Sequence, residues 1–402
     1  LNANPNTVAT QATQTVDTLR PTATVVPVTP DPTSTNAGVV TVNFSEDVTG
    51  VDLADFTLTR DAVAVDISGL SVTPVSATQY TIDLSTVTDQ GGDYVFTVVA
   101  SGSGVTDAAG NDFLVDASDS FTVTAVTVTI DGSGNLVLND SSGNEDNDLV
   151  ITLVNGGADI QITDQNGNVM DVSGIPGSTG TGTSTVTIPV AAFTGQILAT
   201  LGDGNDTITL DFSGGNVVPN GMTYDGAGDH DELVLLNVDD EFTNTTLNYT
   251  NTTDGSVVLN DGTSDFTIAY TGLDPILIAG PLVSVTFNLP AGNNPDVTLT
   301  DLGGGQAILA GSTFEDTTFD VPVAGGSLTI NLGSGDDVLT VNSLALTATT
   351  DLTIDGQGGT DTINLNAAGG IGNVNDLSVA AETISQTQAI SAVGTTTLDD
   401  QG

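Results

Sequence analysis

One stretch constrains this chain more than any other: Leu201-Gly202-Asp203-Gly204-Asn205-Asp206-Thr207-Ile208-Thr209-Leu210, a glycine-rich acidic turn that runs straight into an alternating segment. Altered copies stand at Asp225-Gly226-Ala227-Gly228-Asp229-His230-Asp231-Glu232-Leu233, at Leu332-Gly333-Ser334-Gly335-Asp336-Asp337-Val338-Leu339, and at Asp355-Gly356-Gln357-Gly358-Gly359-Thr360-Asp361-Thr362-Ile363. Two glycines one residue apart let the backbone take positive φ and turn its carbonyls inward, and the Asp that follows adds a carboxylate. The Thr-Ile-Thr-Leu pattern has the period of two of a strand with one buried face. The repeating unit is therefore a turn followed by a strand.

These turns come in pairs, and the pair is duplicated. Ile188-Pro189-Val190-Ala191, the first turn and Asp225-Gly226 recur as Val321-Pro322-Val323-Ala324, Leu332-Gly333 and Asp355-Gly356, at an offset of about 130 residues. Within a pair the turns are a little over twenty residues apart, roughly one coil of a parallel β-solenoid. The expected fold is all-β: an extension or linker at 1–20, an Ig-like β-sandwich at 21–126, and two related modules at 127–282 and 283–402. The modules are solenoid-like, with further β-sandwiches as the alternative. Candidate strands in the first region are Gly38–Phe44, Ala62–Val72, Gln79–Leu84, Asp93–Ala100 and Asp119–Val128, spaced as in a sandwich. Only Ala380–Ser391 carries helical potential.

Carbonyls and carboxylates crowded into one turn suit a hard cation such as Ca²⁺. The candidate ligands are Asp203, Asn205, Asp206, Asp225, Asp229, Asp231, Asp336, Asp337, Asp355 and Asp361, with Asp107 and Asn111 in a separate turn. The competing reading of each is a tight Gly/Asp or Asx turn holding no ion. Asn139 to Asp148 is a dense run of oxygen-bearing side chains, either a solvated loop or a cation site. Asp164-Gln165-Asn166-Gly167-Asn168 misplaces the glycine of an EF-hand loop.

The pattern Gly202-x-Gly204-x-Asp206, repeated as Gly333-x-Gly335-x-Asp337, resembles the RTX-type calcium-binding repeat. RTX repeats run every nine residues, so the resemblance implies a ligand set within a single turn and not their shared-ion roll. A second resemblance lies in Val40-Thr41-Val42-Asn43-Phe44-Ser45-Glu46-Asp47-Val48-Thr49-Gly50, Asp55-Phe56-Thr57-Leu58 and Gly104-Val105-Thr106-Asp107-Ala108-Ala109-Gly110-Asn111. It is similar to the bacterial Ig-like modules of large surface proteins and adhesins, which implies a spacer or adhesive unit on the outside of a bacterium.

Charge narrows the partners. Against 51 Asp and Glu the chain has two basic residues, Arg20 and Arg60, for a net charge of −49. Nucleic acid and anionic membranes are excluded, because their electrostatic term is repulsive everywhere. A hydrophobic fraction of 38% argues for a folded chain, and the lack of cysteine removes disulfides, thiol nucleophiles and zinc-thiolate sites. No apolar run approaches the ~20 residues of a spanning helix, so membrane insertion is not expected.

Catalysis is not expected either. Sugar-cleaving acids need aromatic platforms, and the chain has no tryptophan; Ser-His-Asp chemistry would have to use the one histidine, His230, with no G-x-S-x-G elbow. The expected function is a structural or adhesive protein of the bacterial surface, with a secreted polysaccharide-active β-helix enzyme as the alternative. An extended N-terminus and a C-terminal Asp399-Asp400-Gln401-Gly402 without a closing strand suggest homo-oligomers or fibres joined by end-to-end strand contacts. Asn244, Asn248 and Asn251 stand in glycosylation sequons, which chance explains in so Asn/Thr-rich a segment. Any glycan or surface ligand is left open.

Overall fold

The computed structural model describes residues 16–140, 145–366 and 371–401. Residues 1–15 of the expected extension and 141–144 of the acidic run lie outside them. Among the described residues there is no α-helix, only strands and four single turns of 3₁₀-helix. Contacts divide the chain into one unit of residues 1–89 and 93–123 and a second of 90–92 and 124–402.

The first unit holds two four-stranded antiparallel sheets. One orders Ala23–Val25, Val39–Phe44, Gln79–Asp83 and Val72–Ser76; the other Ala117–Val123, Gly92–Val98, Phe56–Arg60 and Val63–Val65. Alternation along these strands sends Val40, Val42, Phe44, Leu58, Ile82, Phe96 and Val98 into one core. Aromatic pairs fill it: Phe44 meets Tyr80 and Phe113 edge-on, and Phe56 stacks on Phe96. Two candidate strands are corrected. Ala62–Val72 breaks into Val63–Val65 and a strand starting at Val72, because Asp66 accepts the amide of Ser68 in a local turn. Asp119–Val128 divides at Thr124-Ala125 into Ala117–Val123 and Val126–Ile130, one in each unit.

The second unit is solenoid-like. It has two large mixed, mostly parallel sheets of 14 and 12 strands, and through the glycine turns successive strands alternate between them. Ile197–Thr200 in one sheet leads through the first glycine turn to Thr207–Asp211 in the other; Met222–Asp225 leads through the second to Glu232–Leu236. The same alternation carries Pro322–Asn331, Val338–Ser343, Ala345–Asp355 and Thr362–Leu365 through the third and fourth turns. Between the two parallel runs the chain inserts antiparallel hairpins, Asn244–Tyr249 with Gly255–Asn260 and Asp265–Thr271 in one sheet, Val297–Gly303 with Gln306–Ala310 and Thr317–Asp320 in the other.

Parallel pairing in register stacks like on like. Leu149, Ile208, Leu233 and Ile276 form one interior row, and Ile330, Ile354 and Val379 another. These rows belong to one continuous core from Ala125 to Ala381. Each fully buried aliphatic side chain contributes about 1.5–3 kcal/mol, which is what holds a stack with so little aromatic content. The helical expectation for Ala380–Ser391 is corrected by the same effect. Thr383–Gln386 is a strand whose Ile384 pairs with Ile363, extending a row that a helix would abandon.

Candidate functional site

Each glycine turn ends in a buried Asp, and in all four that Asp does the same thing. Asp206 Oδ1 accepts the backbone amide of Asn147 at 2.7 Å, and Asp231 Oδ1 accepts that of Asp206 at 2.9 Å. In the second run Asp337 Oδ1 accepts the amide of Asn294 at 2.6 Å, Asp361 Oδ1 that of Asp337 at 3.0 Å, and Glu382 Oε2 that of Asp361 at 2.7 Å. The turns therefore form two ladders of carboxylate rungs, each tied to the coil before it. Both ladders start on a buried asparagine whose Nδ2 also donates to the first rung, at 3.1 Å in each case. The duplication read from the sequence is thus repeated at the level of single hydrogen bonds.

The rungs are only half satisfied. Asp206, Asp231 and Asp337 are fully buried, and the Oδ2 of each meets no hydrogen-bond donor. Burial pushes the Asp206 carboxyl up to about 8, partly offset by the amide and side chain of Asn147, with the charges of Asp231 and Asp140 adding to the rise. Asp231 is pushed up to about 6, again chiefly by burial. Asp337 and Asp361 are raised for the same reason. No lysine or arginine follows Arg60, so the one side chain of this unit able to carry positive charge is His230, beside Asp231.

The residue before each buried Asp stays outside. Asp203, Asn205, Asp229 and Asp336 are exposed, while Asp225 and Asp355 are half-buried. They form an outer line of contacts: Asn205 N donates to Asp146 Oδ1, Asp336 N to Asn293 Oδ1, Thr360 N to Asp336 Oδ1, and Gly204 N to Asp229 Oδ2 at 3.4 Å. Asp225 and Asp355 cap their own turns by accepting the amides of Ala227 and Gln357. The first turn of each pair takes positive φ at both glycines, as expected: Gly202 and Gly204, then Gly333 and Gly335. In the second turns, with their extra residue, positive φ falls instead on Ala227 and Asp229 and on Gln357 and Gly359. Gly226 is required there for a different reason, since a Cβ on it would stand 2.7 Å from Asp231 Oδ2; Gly356 meets Asp361 Oδ2 in the same way.

Asp107 closes a local turn. Its Oδ1 accepts the amides of Ala109 and Asn111, and its Oδ2 the side chain of Asn111, which holds its carboxyl below the usual range. With Asp17 and Glu46 it also makes the one group, among the described residues, in which three acidic side chains bring ligand atoms within 4.8 Å of each other. Sequence reasoning singled out Asp107 and Asn111 but missed Asp17 and Glu46. It also missed Asn294, Glu315 and Glu382. The two asparagines have one readable signal in common: an Asx-Asx dipeptide, Asp146-Asn147 or Asn293-Asn294, placed where the later turns put Asn205-Asp206 and Asp336-Asp337.

No protein-family model matches the chain. A search of curated proteins returns no match. Among solved structures the chain is distantly similar to the N-terminal part of the bacterial S-layer protein SbsC, at 16% identity and a TM-score of 0.19 over 42% of this chain and 44% of that one. It thus spans less than half of that relative. Domains 1–6 of the surface layer protein SbsC overlap it at 11% identity and a TM-score of 0.19, over 72% of this chain and 57% of the other. An I-band fragment of titin overlaps at 7% identity and a TM-score of 0.18, over 76% of this chain and 99% of the fragment. Overlaps of this size carry no argument about role, and the functional reading rests on the chain's own geometry.

Proposed function

We propose that the chain is a non-enzymatic structural or adhesive module of the bacterial exterior, whose working part is the stacked second unit. The observation that carries this reading is the pair of carboxylate ladders, which tie each coil to the one before it in the same register in both halves. Such a design spends its polar chemistry on holding a stack together. The aromatic rings that a sugar-cleaving groove would use are placed in the cores instead: Tyr80, Tyr94, Tyr224, Tyr249 and Tyr270 are all buried.

Calcium completes the proposal. The exposed acids Asp203 and Asp229 add unfavourable charge beside Asp231, and Asp336 does the same beside Asp361 at the second pair of turns; Ca²⁺ bound there with turn carbonyls replaces that repulsion by coordination. An ion that binds the folded turn alone stabilises by about 2.7 kcal/mol per site at a hundredfold excess over its dissociation constant. Thermal melts in Ca²⁺ and in chelator test this, with Asp203→Ala and Asp336→Ala as variants. A midpoint unmoved by chelation rejects the ion. End-to-end assembly through strand contacts is a separate part of the reading, tested by electron microscopy of chains with and without residues 1–20. Filaments that form equally well without that segment remove it as the joining strand.

A further inference from the structure

One acidic group lies outside the glycine turns, at the seam where the first parallel run meets the hairpin insertion. Register places it: Ile276 pairs with Thr317, so Glu315 stands in line with Asp274, which stands in line with Asp231. Glu315 is 1% exposed, and neither of its carboxylate oxygens meets a donor. The Asp274 carboxyl lies within hydrogen-bond reach of it, and Asp316 is the next nearest charge. Beside it the Tyr270 hydroxyl, also 1% exposed, has no partner, and a Cβ on Gly255 would stand 2.5 Å from that hydroxyl oxygen. The surrounding groups are otherwise committed. Tyr249 shares a 2.7 Å hydrogen bond with Thr317, Asp316 Oδ1 accepts Gly311 N, and Asp254 Oδ1 accepts Gly272 N.

Two facing carboxylates and a buried hydroxyl with nothing to bond are an arrangement that lacks a positive charge. The chain offers none nearby except His230, whose Nδ1 is 3.8 Å from Asp274 Oδ2 on the outer side and is itself exposed. We propose that Glu315 and Asp274, with the Tyr270 hydroxyl beside them, bind a hard divalent cation of the Ca²⁺ class. Two carboxylates supply up to four oxygens, and the exposed side of Asp274 leaves room for water to complete the six to eight that Ca²⁺ takes. The site does not depend on ion binding at the glycine turns.

Tb³⁺ replaces Ca²⁺ in oxygen sites and emits when a neighbouring tyrosine absorbs, and this chain has no tryptophan to confuse the signal. Titration of the whole chain with Tb³⁺ should give tyrosine-sensitised emission that Ca²⁺ displaces. Glu315→Gln should weaken it about tenfold or more, given how strongly ligand charge tunes Ca²⁺ affinity, and should remove part of the Ca²⁺-dependent rise in melting midpoint. Tyr224→Phe, at the glycine-turn corner, should leave this component intact. Emission lost in Tyr224→Phe and kept in Glu315→Gln would place the ion at the turns and overturn this site while sparing the earlier reading. Unchanged emission in Glu315→Gln, together with a higher midpoint in chelator, would mean that Glu315 holds a proton and no metal. If Glu315→Gln does not fold, the Tyr249→Phe/Tyr270→Phe double variant, which keeps both carboxylates, must lose the emission; retained emission overturns the proposal.

Discussion

Both units have acids that close their own loops, but the second also has a set that ties one coil to another. In the first, Asp66, Asp83 and Asp107 accept amides two to four residues ahead and close their own loops, with their carboxyls held below the ordinary range by those bonds. In the second, Asp206, Asp231, Asp337 and Asp361 accept amides 24 to 59 residues away, and burial raises their carboxyls. A carboxylate that closes its own loop has its charge matched by the groups around it, whether exposed as at Asp66 and Asp83 or buried as at Asp107. One that ties two coils must leave water, and its charge becomes a cost.

The largest effects should come from the cores. Phe96→Ala in the first unit should cost about 3–5 kcal/mol, and Leu352→Ala in the second about 2–5 kcal/mol. Hydrogen exchange should then separate the units: faster exchange throughout the first, but in the second only in coils near Leu352. Uniform loss across the second unit would contradict a stack of locally supported coils.

Next in size are the rungs. Asp337→Ala leaves the Asn294 amide buried without its acceptor, so it should cost about 1–3 kcal/mol. Asp66→Ala, on an exposed loop, should leave the denaturation midpoint nearly unmoved. Equal costs in chemical denaturation would erase the distinction between rung and loop acid.

The pH response should differ in sign. A carboxyl raised on folding contributes stability that is complete below its ordinary value and is lost as pH rises through its folded value. In chelator the second unit should therefore weaken from pH 5 to 9, as Asp231 passes about 6 and Asp206 about 8. A carboxyl lowered on folding contributes above its ordinary value and loses that contribution as pH falls, so Asp107 should cost the first unit stability only in acid. Melts read by pulse labelling at one fixed pH resolve the two units. The smallest effect is expected from Asp206→Asn, which keeps the acceptor for Asn147 and removes the charge; it should flatten the alkaline loss. A second unit that gains stability toward pH 9 would sink the whole comparison.

The sequence made the strands legible because alternation and stacking act locally, as at Thr207–Leu210. It made the duplication legible because the turns repeat. It could not separate Asp336 from Asp337, adjacent and chemically identical, since what buries one is the amide of Asn294, which local pattern does not connect to it. The glycines misled in part for the same reason. Gly226 and Gly356 look like positive-φ positions, yet each makes room for a carboxylate that arrives five residues later. Glu315 had no motif at all, because its setting is made by Tyr270, on the strand Asp265–Thr271, and by Asp274 in the loop that follows it.

The order of strands has a mechanical consequence. Val126–Ile130 lies near one end of its sheet and Ile390–Ala392 at the other, so a pull on the two ends of this unit acts along the line on which coils are stacked. The strand interfaces, each with its carboxylate rung, then bear the load in series, and the weakest of them gives way first while the others hold. Each release of roughly 25 residues would pay out about 80 Å of slack chain. Under tension the molecule should lengthen in small repeated steps, absorbing work at each one, where a sandwich sheared across its strands would give way once.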